Sequence, residues 1–133
     1  MSRLIQQTVT FHASPHVVYE LLMDSDSHAA FSGDSASISR EVGGEISAYG
    51  GYITGSNLKL IPDREIVQSW RAVDWPEGHI STVTFVLLRI PEGTRLNFTH
   101  EGVPDGTEEE FEQGWIDNYW DPMKRALHGK THL

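Results

Sequence analysis

The 133 residues include no cysteine, so disulfides, thiolate metal sites and thiol nucleophiles are all excluded. Positive charge is scarce: 10 Lys and Arg stand against 19 Asp and Glu, a net charge of −9. A chain with so few cations to displace counterions from phosphates is not expected to bind nucleic acid or an anionic membrane. No apolar run approaches the roughly 20 residues of a membrane-spanning helix, so membrane insertion is not expected. The opening Met1-Ser2-Arg3-Leu4 lacks the charged-then-apolar order of a secretory signal, and a cytoplasmic protein is expected. Although there are 7 histidines, none falls in a His-Glu-x-x-His or His-x-His spacing. No serine sits in a Gly-x-Ser-x-Gly setting. Neither a metal nor another cofactor is expected.

What the sequence does contain is alternation, turns and one long amphipathic stretch. Length fits one domain over residues 1–133, large enough to bury roughly two-thirds of its unfolded surface. Residues 4–12 alternate, with Ile5, Val9 and Phe11 on one parity and Gln6, Thr8, Thr10 and His12 on the other, as in a strand with one buried face. Ser14-Pro15 then gives an N-cap and a first-turn proline for a short helix carrying Val17, Val18, Leu21 and Leu22. Asp24 caps a second short helix, which Gly33 ends. From residue 34 onward the chain reads as hairpins. Gly43-Gly44, Gly50-Gly51, Pro62-Asp63 and Glu92-Gly93 mark tight turns. The segment Ile80–Ile90 is apolar on both parities and is expected to lie centrally in a sheet.

Thr107–Leu127 is the long stretch. Thr107 and Glu110 have the spacing of a capping box, and Glu108, Glu109 and Glu110 complement the positive end of the helix dipole. The apolar stripe is Ile116, Trp120, Met123 and Leu127, flanked by Trp115, Tyr119 and Ala126. Lys124, Arg125 and Lys130 sit at the negative end, with Gly129 as the expected stop. Pro122 removes a helical N–H and predicts a kink, or a second helix capped by Asp121. One strand, two short helices, about six antiparallel strands and a long helix make an α+β chain. A curved antiparallel sheet of about seven strands needs its concave face covered, and the long helix is the only element large enough. This is the helix-grip architecture.

The residues Gly43-Gly44, Gly50-Gly51, Pro62 with Ile66-Val67 and Trp70-Arg71, Trp75-Pro76-Glu77-Gly78-His79, and Gln113-Gly114-Trp115 carry a resemblance. Across nearly the whole chain the pattern is similar to the C-terminal domain of the activators of the 90-kDa heat-shock chaperone's ATPase. More broadly it resembles the START-like, or SRPBCC, superfamily. The eukaryotic activators add a separate N-terminal domain that supplies much of the chaperone contact, and no such domain is read in this sequence. The resemblance implies a START-like fold, a stress-related binding role without catalysis, and a chaperone or client protein as partner.

Two places are candidate sites. Phe31, Trp70, Phe85, Phe98, Trp115 and Tyr119 are expected to line a cavity between sheet and helix for an apolar small molecule or lipid; an ordinary filled core is the competing reading. Trp75 and His79 are expected on a partner surface, because an exposed tryptophan is a common interface anchor; Trp75 folded back as a lid is the alternative. A START-like enzyme, a cyclase or hydrolase acting on an apolar or aromatic compound, would need polar groups converging inside the cavity. His100 and Tyr119 are the one pair expected as acid and base. Asp24 and His28 stand one helical turn apart, a spacing open to metal or proton chemistry, with Asp24 as a helix cap the simpler reading.

Overall fold

The computed structural model describes residues 4–131, and side chains through residue 127. Strand β1 (Ile5–Phe11) leads into helices α1 (Pro15–Met23) and α2 (Ser25–Ser32). Six further strands follow: β2 (Ser37–Ile38), β3 (Glu45–Ala48), β4 (Ile53–Ile61), β5 (Glu65–Ala72), β6 (Ser81–Ile90) and β7 (Gly93–Glu101). They form one seven-stranded sheet of order β1-β7-β6-β5-β4-β3-β2, with every neighbouring pair antiparallel. The chain closes with α3 (Glu108–Trp115), a π-helical turn (Ile116–Trp120) and α4 (Asp121–Thr131) lying over the concave face. The fold is the expected helix grip.

Short polar residues fix the early helices. Ser14 Oγ accepts from Val17 N at 3.3 Å, and Pro15 stands at the first helical position. Asp24 closes α1 and opens α2, accepting from the backbone N–H of Ser27 at 3.0 Å and from its hydroxyl at 2.9 Å. Those hydrogen bonds, the backbone one first, hold its carboxyl below the usual range. Gly33 ends α2 at φ 79°, a conformation that glycine adopts without strain.

Curvature comes from β4. Its register against β5 slips between Asn57 and Lys59, a bulge that leaves Leu58 half exposed. Near the other end, a Cβ on Gly55 would stand 1.7 Å from the Ser69 carbonyl, so only glycine lets the strands approach there.

The long helix departs from expectation at both ends and in the middle. Thr107 makes no side-chain cap; its hydroxyl turns back to the Pro104 carbonyl at 2.6 Å. The expected capping box with Glu110 is therefore absent. Its place is taken by Glu108, whose carboxylate accepts from Gly106 N at 2.9 Å. Helix α4 continues past Gly129 to Thr131, so the expected stop does not fall there, and the Lys130 side chain lies outside the described residues. In the middle, Pro122 produces a π-turn rather than a sharp kink. The wider turn rotates the downstream face, so the buried row is Trp115, Tyr119, Trp120, Met123 and Leu127. Ile116, expected in that row, is 37% exposed.

Candidate functional site

The inner face of the sheet alternates as a strand with one buried side must. On β6 it presents Ser81, Val83, Phe85 and Leu87, and on β7 Leu96, Phe98 and His100. Register sets Phe85 directly opposite Phe98, with ring centroids 5.2 Å apart. Trp115 comes down on this pair from the helix. Its ring lies 4.3 Å from Phe98, 4.8 Å from Trp70 and 4.6 Å from Tyr119. Phe31 reaches the group from α2 at 5.6 Å from Tyr119. All six residues expected along a cavity are thus in one cluster, five of them buried and Phe31 partly so.

The rings pack against one another and leave little room. Beside the cluster is a void of about 10 Å³, lined by Leu22, His28, Ile46, Gln68, Trp70 and Tyr119 among others. One water fills a space of that size.

Three hydrogen-bond chains, two of them running through the buried core, fix the cluster. In the first, Trp115 Nε1 donates to His100 Nδ1 at 3.1 Å, which leaves the ring proton on Nε2. That proton goes to Ser81 Oγ at 2.7 Å, and the serine hydroxyl donates to the Trp70 carbonyl at 3.0 Å. Burial holds His100 neutral down to about 3. A second proton on its ring would point at the Trp115 N–H. In the next, Trp70 Nε1 donates to Gln68 Oε1 at 3.1 Å, and Gln68 Nε2 donates to Asn57 Oδ1 at 3.1 Å. Asn57 passes its own amide protons to the carbonyls of Ser39 and Glu41, at 2.7 and 3.0 Å, fixing the loop between β2 and β3. In the third, Trp120 Nε1 donates to Gln7 Oε1 at 2.7 Å while Gln7 Nε2 donates to Glu112 O at 2.9 Å, tying the helix to β1.

His28 stands apart. Its Nε2 is 2.9 Å from the Tyr119 hydroxyl, and its buried Nδ1 has no partner. Burial brings its pKa down to about 4 and carries that of Tyr119 well above the ordinary phenol range. His100 and Tyr119, expected as acid and base, share no hydrogen bond: His100 is paired with Ser81 and Trp115, and Tyr119 with His28. Asp24 is occupied as a cap, and among the described residues no group of His, Asp and Glu could hold a metal ion.

The loop between β5 and β6 is the other candidate. Trp75 is only 8% exposed, so its side chain is folded back as a lid over the core rather than standing open as an anchor. Arg71 explains this by drawing the loop inward. Its guanidinium donates to the carbonyls of Pro76 at 2.6 Å, His79 at 3.1 Å and Trp75 at 3.1 Å. Phe111 meets the Trp75 ring edge-on at 5.5 Å. His79 is half buried, with Nε2 donating to Gly102 O at 2.7 Å. Instead, Val73 and Ile80 at the two ends of the loop are the exposed side chains, at 68% and 61%.

Sequence reasoning missed Gln68, Asn57, Ser81 and also Tyr49, whose ring meets that of Tyr119 edge-on at 6.0 Å. Gln68 and Ser81 had a usable signal, each being a polar residue on the buried parity of a strand, between Ile66 and Trp70 and before Val83. Tyr49 had none.

The family model described as Activator of Hsp90 ATPase homolog 1-like protein matches residues 12–128. The chain belongs to that family. It is 31% identical over 118 residues to the human activator of 90 kDa heat shock protein ATPase homolog 1, covering 89% of this chain and 35% of that protein. To the activator homolog of Dictyostelium discoideum it is 34% identical over 119 residues, 88% of this chain and 31% of that one. It thus spans about a third of the length of these curated relatives. An HSP90 activator from Plasmodium falciparum has the same fold, with a TM-score of 0.89 at 26% identity, over 94% of this chain and 96% of that one. Members of the activator family share with this chain the START-like grip on which the aromatic cluster is built. Among the described residues no helix is long and apolar enough to cross a membrane.

Proposed function

We propose that this chain is a non-enzymatic activator-family domain, one START-like unit over residues 1–133. It works in the cytoplasm, docks on the 90-kDa heat-shock chaperone and raises its ATP turnover. The observation that carries this reading is the 31% identity over 118 residues to a relative named for that activation. The packed interior agrees with it, because a domain whose aromatic residues hold one another acts from its surface. The docking surface is the β5–β6 loop. Trp75 and His79 brace it from beneath, and Val73 and Ile80 offer it to the partner. A client protein of the chaperone is the other occupant of the same surface. The test is ATP turnover by the host's own chaperone with and without this protein. Stimulation that Val73→Asp and Ile80→Asp both weaken supports the reading. An unchanged rate with no detectable complex overturns it.

A ligand reading keeps one observation in its favour: the void beside the unpartnered His28 Nδ1. An apolar molecule or lipid with one polar group would meet that nitrogen, with Phe31, Trp70, Phe85, Phe98, Trp115 and Tyr119 around its body. Entry would require α2 to swing away, since about 10 Å³ admits nothing larger than water. Titration with a fluorescent apolar probe or a lipid panel, followed by tryptophan emission, tests it. A saturable change supports it and a flat response removes it.

A further inference from the structure

Strand β6 outruns its neighbour. It extends to Ile90, whereas β5 begins only at Glu65, which pairs with Val86. The cause is the tight turn between β4 and β5, made by Pro62 and Asp63. Asp63 takes φ 64°, and Arg64 N donates to the Ile61 carbonyl at 3.0 Å. One hydrogen bond crosses beyond Val86: Leu87 N donates to the Arg64 carbonyl at 2.8 Å. Backbone groups of a strand alternate between its two sides, so Arg89, two residues on, turns its N–H and C=O the same way as Leu87. No strand lies on that side, and among the described residues neither group has a hydrogen-bond partner.

The vacated side is a groove of about 520 Å³, enclosed by Pro15 and His16 of α1, by the β4–β5 turn and by the end of β6. Two exposed apolar side chains, Ile61 and Leu88, stand in it beside the exposed guanidinium groups of Arg64 and Arg89. Arg64 lies opposite Leu87 and so diagonal to Arg89, a spacing of roughly 7–8 Å that lets both reach one short stretch of chain. The groove also holds two carboxylates, and both are engaged. Asp63 accepts from the His16 ring at 3.0 Å, and Glu65 meets the Lys59 ammonium at 3.2 Å. Arg64 and Arg89 have no such partner among the described residues.

We propose that this groove takes an extended acidic segment of a partner protein, which lies along residues 88–90 as a short added strand. Charge selects the occupant: two unpaired arginines stand together on a chain whose net charge is −9. Carboxylates of the segment meet the two guanidinium groups, whose planar forks suit them. Its backbone satisfies the N–H and C=O of Arg89. Leu88 and Arg89 point to opposite faces of β6, so the segment that fits alternates apolar and acidic residues. A cation on a bare edge also turns away its own kind. A second copy of this chain pairing by the same edge would set Arg89 against Arg89. The phosphates of a nucleic acid or an anionic membrane are repelled by the charge of the whole chain. The groove lies at the other end of the strands from the β5–β6 loop and does not depend on what docks there.

The test titrates the full chain with a blocked hexapeptide of alternating glutamate and valine, followed by nitrogen–proton NMR. Saturable shifts at the amides of Arg64 and residues 87–90 are expected, with slower exchange of the Arg89 amide and no movement of the β5–β6 loop. A peptide of alternating lysine and valine is expected to leave the spectrum unchanged. Arg64→Glu and Arg89→Glu are each expected to raise the dissociation constant about tenfold at an unchanged melting temperature, since both side chains are exposed and unpaired. The absence of a saturable shift overturns the proposal. So does binding that both reversals leave intact, or that the lysine peptide matches. Binding with the Arg89 amide exchanging as fast as before overturns the added strand. Shifts at the same amides with a single-stranded oligonucleotide or phosphatidylserine vesicles, and none with the acidic peptide, would assign the arginines to phosphate and overturn it as well.

Discussion

The Tyr49 hydroxyl donates to the Asn118 carbonyl at 2.6 Å, and Asn118 is the residue four before Pro122. A proline has no N–H to offer the carbonyl one turn back. The phenol supplies the missing donor from the turn between β3 and β4, 69 residues away in sequence. To reach it, Tyr49 adopts φ 53°, an uncommon value for a side chain of its size. Burial of the phenol, followed by the nearby Asp34 charge, pushes its pKa up to about 12, so it stays a donor throughout the physiological range.

Removing that donor is expected to destabilise the protein only while Pro122 is present. Tyr49→Phe should cost about 1 kcal/mol. In a Pro122→Ala background, where residue 122 regains an N–H, the same change should cost less. Urea denaturation of the four proteins in the double-mutant cycle checks this, with a coupling of about 0.5–1 kcal/mol expected. Strict additivity would show that the phenol and the proline act independently.

Stability should fall with acid in a window set by two histidines. An unfolded histidine titrates near 6.5, whereas in the folded chain His28 titrates at about 4 and His100 at about 3. Between those limits the unfolded state binds more protons, so unfolding becomes easier as pH drops. The stability is fully present above about 6.5, declines as pH falls through 4, and is lost by 3, a decline on the order of a few kcal/mol. Urea midpoints at successive pH values measure it. His28→Leu should reduce the slope between about 6.5 and 4 to the part due to His100, and leave the slope below 4 as it was.

Arg71 should act as the clasp of the β5–β6 loop. Arg71→Ala removes the donor to three carbonyls and is expected to cost about 2 kcal/mol. It should also expose Trp75, seen as a red shift in tryptophan emission. Arg71→Lys, with one ammonium in place of the planar fork, should recover only part of the stability. A blue-shifted, unchanged spectrum in Arg71→Ala would show that Phe111 alone holds Trp75 in place.

Gln68→Leu tests the polar chain through the core. It strands the Trp70 indole N–H and the Asn57 side-chain Oδ1, both buried, at an expected cost of about 2–4 kcal/mol. Hydrogen exchange should quicken first at Gly43, whose N–H bonds the backbone carbonyl of Asn57 at 2.8 Å. Exchange that quickens uniformly instead would place the effect on global stability rather than on that chain.

These residues also show what the sequence makes legible. Periodicity reads out β1, the β6–β7 pair and the gathering of Phe85, Phe98, Trp70, Trp115 and Tyr119, because burial on one face imposes a period that local sequence must keep. Ser14, Asp24 and Gly33 read correctly, since a cap satisfies backbone groups within a few residues of itself. The π-turn does not follow from periodicity. A helical wheel assumes one constant turn, and here a proline changes it, moving Ile116 out and Trp115 in. Trp75 leaves two readings open in the sequence, lid or exposed anchor, because its position depends on an arginine and a phenylalanine that meet it only in the fold. The fullness of the grip is likewise a matter of how volumes fit, which no spacing records.

The measurement that separates a filled grip acting from its surface from an open one is the set of indole N–H signals in a nitrogen–proton NMR spectrum. Trp70, Trp115 and Trp120 donate to Gln68, His100 and Gln7 inside the grip, so each reports on the interior. The expected result is that these three signals stay fixed when an apolar probe is added, while the 90-kDa chaperone shifts the amides from Val73 to Ile80. Movement of the Trp70 and Trp115 indoles with the probe, together with loop amides that the chaperone leaves untouched, would contradict it.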